Sequence, residues 1–283
     1  MALGIILALL GGVALGGITS FAALSYSYGA DPITLIALRG TVAAMIMAGL
    51  TYASRTAFLI PRAGLRHIIA IGIFLALMGF GLMGSVAFIS PGLAVAILYL
   101  YPIMVLIWES LRTRTLPSLR ERAAFCIALV GIITCVGVGG PLHPIGMTLA
   151  FMAAVGMAGF LITSAASTRA GFGSGVLIWA NMVAVLPALI LVLIADQSGI
   201  PNHGIGWMAM GMASLLYALG VMFSILALRK LAAPSVALIM NVEPITTLLA
   251  AHLLVGEVLS PLQYSGMIIA VLGIIIGNTM KRE

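Results

Sequence analysis

Long apolar runs occupy almost the whole chain, and they determine the solvent in which it can fold. Hydrophobic residues make up 63% of the 283 residues, whereas Asp, Glu, Lys and Arg together make up only 7%. A water-soluble domain carries about a quarter charged residues because its surface faces water. A surface of Leu, Ile, Val, Ala and Met faces lipid instead. The sequence therefore predicts an integral membrane protein with no separate soluble domain.

Charged residues, glycines and prolines divide the apolar sequence into segments long enough to cross a membrane. About 20 apolar residues, rising ~1.5 Å each, cross a hydrocarbon core of ~30 Å. The sequence thus predicts an all-α integral membrane fold of ten transmembrane helices. The predicted spans are 3–27, 32–54, 65–88, 91–109, 120–140, 144–168, 174–195, 205–228, 232–254 and 260–280.

The basic residues indicate the side of the membrane that each connection faces. Twelve of the 13 Lys and Arg residues lie in alternate connections, and only Arg39 lies within a span. By the positive-inside rule these connections are cytoplasmic, so both termini are predicted to be cytoplasmic in a bacterial inner (plasma) membrane. The formal charge of +6 does not indicate nucleic acid as a partner, because no basic run has interleaved aromatic residues. The basic residues in connections are Arg55, Arg62, Arg66, Arg112, Arg114, Arg120, Arg122, Arg169, Arg229, Lys230, Lys281 and Arg282.

The two halves of the chain, 1–140 and 141–283, resemble each other at an offset of 142 residues. Tyr101-Pro102-Ile103 aligns with Glu243-Pro244-Ile245. Each half holds five predicted helices, an odd number, so the second half enters the membrane in the opposite orientation as an inverted repeat. The alternative is chance similarity between apolar segments, but the aligned prolines and small residues favour a repeat. The small residues that align are Ala124, Ala128 and Gly131 with Gly266, Ala270 and Gly273.

These features resemble the drug/metabolite transporter superfamily, specifically its EamA-type ten-helix exporters. The resemblance covers nearly the whole chain and rests on the repeat, on Arg39, on Glu243-Pro244, and on Gly256-Glu257 before the last span. Within the superfamily the chain looks most like bacterial aromatic amino-acid exporters. The resemblance implies a secondary transporter that exports small metabolites, chiefly aromatic and other neutral amino acids, by alternating access around a central cavity. Export of other drugs or metabolites is the alternative within the superfamily.

Glu243 lies about eleven residues, or ~17 Å, inside its predicted span. An isolated carboxylate there costs about 3 kcal/mol, unless it binds a cation, faces a wet cavity or stays protonated. Our hypothesis is that Glu243 receives the substrate's ammonium group or a coupling proton. The alternative is that it hydrogen-bonds backbone groups freed by the adjacent proline and only fixes helix packing.

The aligned segments around the two prolines predict a substrate chamber near the bilayer centre. Pro102 and Pro244 each lack an N–H and crowd the carbonyl four residues earlier, so both helices should bend or open there. Tyr99 and Tyr101 align with Asn241 and Glu243. A tyrosine ring offers an apolar face and a hydroxyl, which suit aromatic side chains and cations. Tolerated prolines and tyrosines at the membrane interface are the alternatives.

Four further residues are weaker candidates for substrate binding. Arg39 lies about 10 Å inside the second span, where it could bind a carboxylate, pair with an acid or extend outward to the interface. Trp179, Asn181 and Tyr217 lie in the seventh and eighth spans, where helix packing is the alternative.

The sequence does not favour an enzyme or a channel. It has no His-Glu-x-x-His motif, no metal-ligand spacing and no paired intramembrane aspartates, so we expect no catalytic residues, no cofactor and no metal. Its polar residues gather at mid-depth and do not form the continuous stripe of a channel. Cys126 and Cys135 lie too far apart on one helix to pair, and both are interpreted as small buried hydrophobic residues.

Overall fold

A computed structural model describes residues 1–53, 62–137, 142–172, 175–194, 199–255 and 258–278. Within these residues all regular secondary structure is helical, and Gly256, Glu257, Arg55, Lys281 and Arg282 fall outside them. The α-helices in chain order are α1 (Ala2–Ser27), α2 (Pro32–Ala53), α3 (Leu65–Val86), α4 (Pro91–Leu98), α5 (Tyr101–Thr113), α6 (Leu119–Val136), α7 (Pro144–Arg169), α8 (Gly175–Ile194), α9 (Gly204–Leu228), α10 (Ala233–Ile239), α11 (Val242–Val255) and α12 (Pro261–Asn278).

Most of these helices, alone or joined to the next helix, form segments long and apolar enough to cross a membrane. In the described part of the chain, eight segments meet this requirement, and α12 contributes a shorter apolar helix. The predicted all-helical membrane fold is therefore confirmed. The eight segments are α1, α2, α3 with its preceding turn, α4 with α5, α7, α8, α9, and α10 with most of α11.

Prolines and capping side chains set the helix starts. Pro91, Pro144 and Pro261 each begin a helix. The missing N–H of proline costs no hydrogen bond there, because the first N–H of a helix has no helical partner. The start of α6 is a capping box. The Ser118 hydroxyl accepts from the Glu121 N–H at 3.2 Å, and the Ser118 N–H donates to the Glu121 carboxylate at 2.8 Å.

Two of the spans are interrupted half-way across. The predicted span 91–109 consists of α4 and α5, and the predicted span 232–254 consists of α10 and α11. Pro102 and Pro244 lie in the first turn of α5 and α11. Both α5 and α11 therefore begin about 15 Å from the start of their span, which is half of a ~30 Å hydrocarbon core.

The two halves of the chain pack against each other through matched helix pairs. Besides the contacts of α4 with α7 and of α5 with α10, the large contacts join α1 with α9, α3 with α7, α2 with α8, α6 with α12, α3 with α8, α2 with α9, α1 with α11 and α5 with α7. This set of contacts is unchanged when α1, α2, α3, α5 and α6 are exchanged for α7, α8, α9, α11 and α12.

One end of the bundle is held by hydrogen bonds between the α1–α2 turn and the segment before α9. The Asp31 N–H donates to the Gly199 carbonyl at 3.1 Å, and the Gly199 N–H donates to the Asp31 carboxylate at 2.8 Å. The Asn202 N–H donates to the Tyr28 carbonyl at 2.9 Å. The Tyr28 and His203 rings stack with centroids 5.4 Å apart. We call this set of contacts the Asp31 latch.

Asp31 also caps α2. Its carboxylate accepts from the Ile33 N–H at 2.7 Å and the Thr34 N–H at 2.9 Å. Partial burial disfavours the charged carboxylate, but hydrogen bonds from Thr34, Ile33 and Gly199 outweigh burial and lower the pKa of Asp31.

Small residues let α6 and α12 approach to backbone distance. A Cβ atom added at Gly273 would lie 2.5 Å from the Ala128 nitrogen, and one added at Gly266 would overlap the Cys135 backbone. This is the close packing that membrane helices achieve with small residues. Cys135 is buried, but the interpretation of Cys126 as buried is wrong, because this residue is exposed.

Candidate functional site

The two interrupted spans bring a carboxylate and two phenols together, and we call Tyr99, Tyr101 and Glu243 the glutamate cluster. The Tyr99 hydroxyl lies within hydrogen-bonding reach of the Glu243 carboxylate. The Tyr99 and Tyr101 rings are tilted by 44° with centroids 5.7 Å apart. The Tyr101 hydroxyl donates to the Ala237 carbonyl in α10 at 3.4 Å. These contacts connect α4–α5 of the first half with α10–α11 of the second.

The interruption of the ninth predicted span helps to stabilise Glu243. Glu243 lies in the first turn of α11, where unpaired backbone N–H groups and the helix dipole favour a negative charge. The Tyr99 hydroxyl provides a further donor. Both tyrosines are almost fully buried, at 2% and 1% exposure, whereas Glu243 keeps some accessible surface. A carboxylate placed in this way can receive a cation or a proton.

Asn241 adds an unused acceptor beside this cluster. Its side chain is 2% exposed, and within the described residues its Oδ1 atom has no hydrogen-bond partner. Leaving a buried acceptor unsatisfied costs about 1–3 kcal/mol. Asn241 lies in the interruption between α10 and α11, two residues before Glu243. An ammonium group or a water molecule could satisfy this oxygen.

Arg39, Asn181 and Tyr217 form a second polar group, the arginine cluster. The Arg39 guanidinium carbon lies 4.9 Å from the centroid of the Tyr217 ring, which is a cation–π contact. The Tyr217 hydroxyl donates to Asn181 Oδ1 at 3.3 Å, and Asn181 Nδ2 donates to the Leu177 carbonyl at 2.9 Å. The cluster joins α2, α8 and α9 in the membrane interior.

A small cavity adjoins the arginine cluster. It has a volume of about 10 Å³, is lined by Arg39 and Tyr217 together with Gly79, and has room for about one water molecule. Among the described residues, no carboxylate forms an ion pair with Arg39. The guanidinium therefore contacts an uncharged aromatic face, and its positive charge remains available to an anionic group.

Two stretches of the chain, residues 2–137 and 144–279, each match the model of the EamA-like transporter family. The chain belongs to this family. EamA-like proteins are membrane transporters of the drug/metabolite transporter superfamily, so the protein is a multi-pass membrane transporter whose partners are lipid and a small-molecule substrate.

The fold of this EamA-like transporter is also found in a solved structure. That crystal structure is described only as that of a protein. Its fold matches this chain with a TM-score of 0.78 and 18% sequence identity, and the match covers 98% of this chain and 99% of the other chain. At this identity the likeness shows the fold alone. No curated protein sequence matches the chain.

In the EamA-like transporter, six of the eight predicted substrate-binding residues form the two clusters, Asn241 lies beside the glutamate cluster, and Trp179 belongs to neither. Trp179 is 48% exposed and lies two residues from the fully buried Asn181, about 200° around α8. The structure therefore places Trp179 on the opposite face of α8 from the arginine cluster. In the described residues, no group of three or more His, Cys, Asp or Glu side chains could hold a metal ion.

Two contributions to the site were missed by sequence reasoning. The Ala237 carbonyl accepts from Tyr101, and Tyr26 lies within electrostatic reach of Arg39. A backbone carbonyl carries no residue-type signal. Tyr26 lies near the end of its predicted span, where a tyrosine is ordinarily interpreted as an interfacial residue.

Proposed function

We propose that this EamA-like transporter exports neutral amino acids, including aromatic ones, across a bacterial inner membrane by alternating access. The observation that carries the proposal is the approach of the Tyr99 hydroxyl to the Glu243 carboxylate at mid-depth between two interrupted spans. Discontinuous helices at the bilayer midplane are where secondary transporters bind substrates and coupling ions.

The proposal includes ten spans with both termini cytoplasmic and two five-helix repeats, 1–140 and 141–283. The two spans that this count adds to the eight are α6, the fifth, whose first turn contains Arg120, Glu121 and Arg122, and α12, the tenth. Support for the repeat comes from the two separate family matches and from the helix contacts that persist when the halves are exchanged. It also comes from ring contacts at the opposite ends, Tyr28 with His203 and Phe172 with His67.

Our proposal assigns one cluster to each charge of a zwitterionic amino acid. In our proposal Glu243 and the unused Asn241 oxygen accept hydrogen bonds from the substrate ammonium group. Arg39 binds the carboxylate, and charge-assisted hydrogen bonds of this kind contribute about 1.5–3 kcal/mol each. The Tyr99 and Tyr101 rings supply apolar faces for the side chain of the substrate.

Glu243→Gln tests the proposal in proteoliposomes loaded with unlabelled amino acid. We expect counterflow of labelled amino acid to fall about 10- to 100-fold, because the ammonium loses its charged partner. Glu121→Gln is the matched control, since it removes the same charge at a membrane end and glutamine keeps the capping box. Normal counterflow in Glu243→Gln protein would reject the role of Glu243.

Tyr99→Phe separates hydrogen bonding from ring packing in the same assay. The variant keeps the aromatic face but loses the hydroxyl that lies within reach of Glu243. We expect a smaller loss than in Glu243→Gln, shared by all transported amino acids. If the wild-type protein gave counterflow with none of the 20 amino acids, this substrate class would be rejected and another metabolite favoured.

An imposed pH gradient distinguishes proton coupling from facilitated diffusion. If Glu243 exchanges a substrate for a proton, the gradient drives accumulation in wild-type liposomes and not in Glu243→Gln liposomes. Equal accumulation with and without the gradient would indicate that Glu243 binds the substrate without carrying a coupling proton.

A further inference from the structure

A large apolar groove lies away from both polar clusters, between α5 and α6. Its volume is about 610 Å³, within the range of roughly 300–1,000 Å³ typical of small-molecule sites. Its walls are almost entirely apolar. They include Leu106, Ile107 and Leu111 from α5, and Phe125 and Cys126 from α6.

The length of the groove matches one leaflet of a membrane. Its lining extends along α5 from Ile103 to Arg114. Eleven residues of helix rise about 16 Å, which is half of a ~30 Å hydrocarbon core. The groove therefore extends from the membrane interface to the bilayer centre, as one acyl chain does.

Positive charge gathers at the interfacial end of this groove. Arg114 and Arg122 both line it, both are exposed, and neither forms an ion pair with any described residue. The nearby acids have other partners, because Glu109 is paired with Arg112 at 2.6 Å and Glu121 is held in the capping box. Four arginines and two glutamates between positions 109 and 122 leave a formal charge of +2.

The backbone at Arg114 gives a second reason to assign this arginine a role. Arg114 ends α5 with φ 54° and ψ 32°, in the left-handed region, and it is the only non-glycine residue with positive φ among those described. Glycine is the usual residue at such a helix end, and other residues are strained there by about 1 kcal/mol or more. Keeping an arginine at this position is consistent with a requirement for its side chain.

We propose that the groove binds one anionic glycerophospholipid, with an acyl chain along the apolar walls and the phosphate at Arg114 and Arg122. Basic pockets between transmembrane helices recognise anionic lipid headgroups in this way. The proposal depends on the membrane location of the chain and not on the transported substrate.

Native mass spectrometry of the full-length protein with added phosphatidylglycerol or phosphatidylcholine tests this site. Each arginine near a membrane surface contributes about 1 kcal/mol toward an anionic lipid, or roughly fivefold in affinity. We expect phosphatidylglycerol to be retained about 25-fold better than phosphatidylcholine by wild-type protein. Equal retention of the two lipids would overturn the proposal.

Three single substitutions locate the binding. Arg114→Gly removes the guanidinium and suits the left-handed backbone, and Arg122→Gln removes the second charge. We expect each to reduce the preference about fivefold. Arg120→Gln is the matched control, because Arg120 is exposed nearby but does not line the groove. An equal loss in Arg120→Gln protein would indicate diffuse surface charge and overturn the site.

Two further measurements test the apolar part of the groove. Cys126→Phe should fill part of it and weaken retention of phosphatidylglycerol while leaving the arginines unchanged. Soluble glycerol phosphate should not compete with the lipid, because it lacks an acyl chain. Competition by glycerol phosphate at concentrations comparable to the lipid would show a free phosphate site and reject the lipid. Unchanged retention in Cys126→Phe protein would also contradict the proposal.

Discussion

Replacing Gly273 by alanine tests the close approach of α6 and α12. The new Cβ would lie 2.5 Å from the Ala128 nitrogen, 2.8 Å from the Ala128 Cα and 2.9 Å from the Ala124 carbonyl oxygen. Ordinary contact begins at 3.4 Å, so α12 must move away by the difference of 3.4 and 2.5 Å, about 0.9 Å. A gap of ~0.5–1 Å removes roughly a quarter to a half of the dispersion attraction between the atoms it separates.

The expected loss is about 1–3 kcal/mol, the usual cost of overpacking a tight interior. It should lower the melting temperature in detergent by roughly 2–4 °C for each kcal/mol, measured by thermal unfolding with fluorescence-detected size-exclusion chromatography. Gly211→Ala is the matched control, because a Cβ at this exposed position in α9 meets nothing within 4 Å. Adding Ala128→Gly should not restore stability, since the overlap is with backbone atoms. Equal melting temperatures for the two glycine variants would refute the close approach.

Three other expectations follow from the structure. Asp31→Ala should cost about 0.5–2 kcal/mol through loss of the α2 cap. Because the folded pKa of Asp31 is lowered, its stabilisation is complete above its unfolded pKa of about 3.9 and is lost as pH falls through the folded pKa. Asp31→Asn protein should lack this acid-dependent loss in thermal unfolding curves recorded from neutral to acidic pH. Tyr217→Phe should destabilise the protein by about 1–3 kcal/mol, because the buried Asn181 side chain loses its hydrogen-bond donor. Unfolding in mixed detergent measures this loss of stability. An unchanged stability would contradict the hydrogen bond. An apolar maleimide should modify one thiol per chain in intact-mass measurements, at exposed Cys126 and not at buried Cys135, and labelling that persists in Cys126→Ser protein would contradict this burial.

The positions of the helices could be predicted because residues that are unfavourable inside the lipid also lie where helices begin and end. Pro91, Pro144 and Pro261 start helices within one residue of the predicted starts. The predicted span 120–140 did not anticipate that α6 ends at Val136, where Gly137 adopts φ 74°. Hydropathy continues past this point, so composition alone does not show where the backbone leaves the helix.

The candidate site was predictable only where the repeat provided spatial information. Aligning the halves placed Tyr99 opposite Asn241 and Tyr101 opposite Glu243, and the structure brings the Tyr99 hydroxyl within reach of the Glu243 carboxylate. The contact of Arg39 with the Tyr217 ring was not predicted, since one sequence does not reveal which distant helices touch. Helical geometry alone separates Trp179 from Asn181, because residues two apart lie about 200° around a helix.

The strength of the Asp31 latch limits the free energy that holds this end of the bundle closed. Any widening there must separate Asp31 from Gly199 and Tyr28 from Asn202. Three hydrogen bonds at about 0.5–1.5 kcal/mol net each hold these segments, or ~2–5 kcal/mol in total. Conformations that differ by only a few kcal/mol coexist at equilibrium. Thermal motion can therefore break these hydrogen bonds without an external energy source. Water that reaches the released Asp31 carboxylate would recover part of the lost hydrogen-bonding free energy.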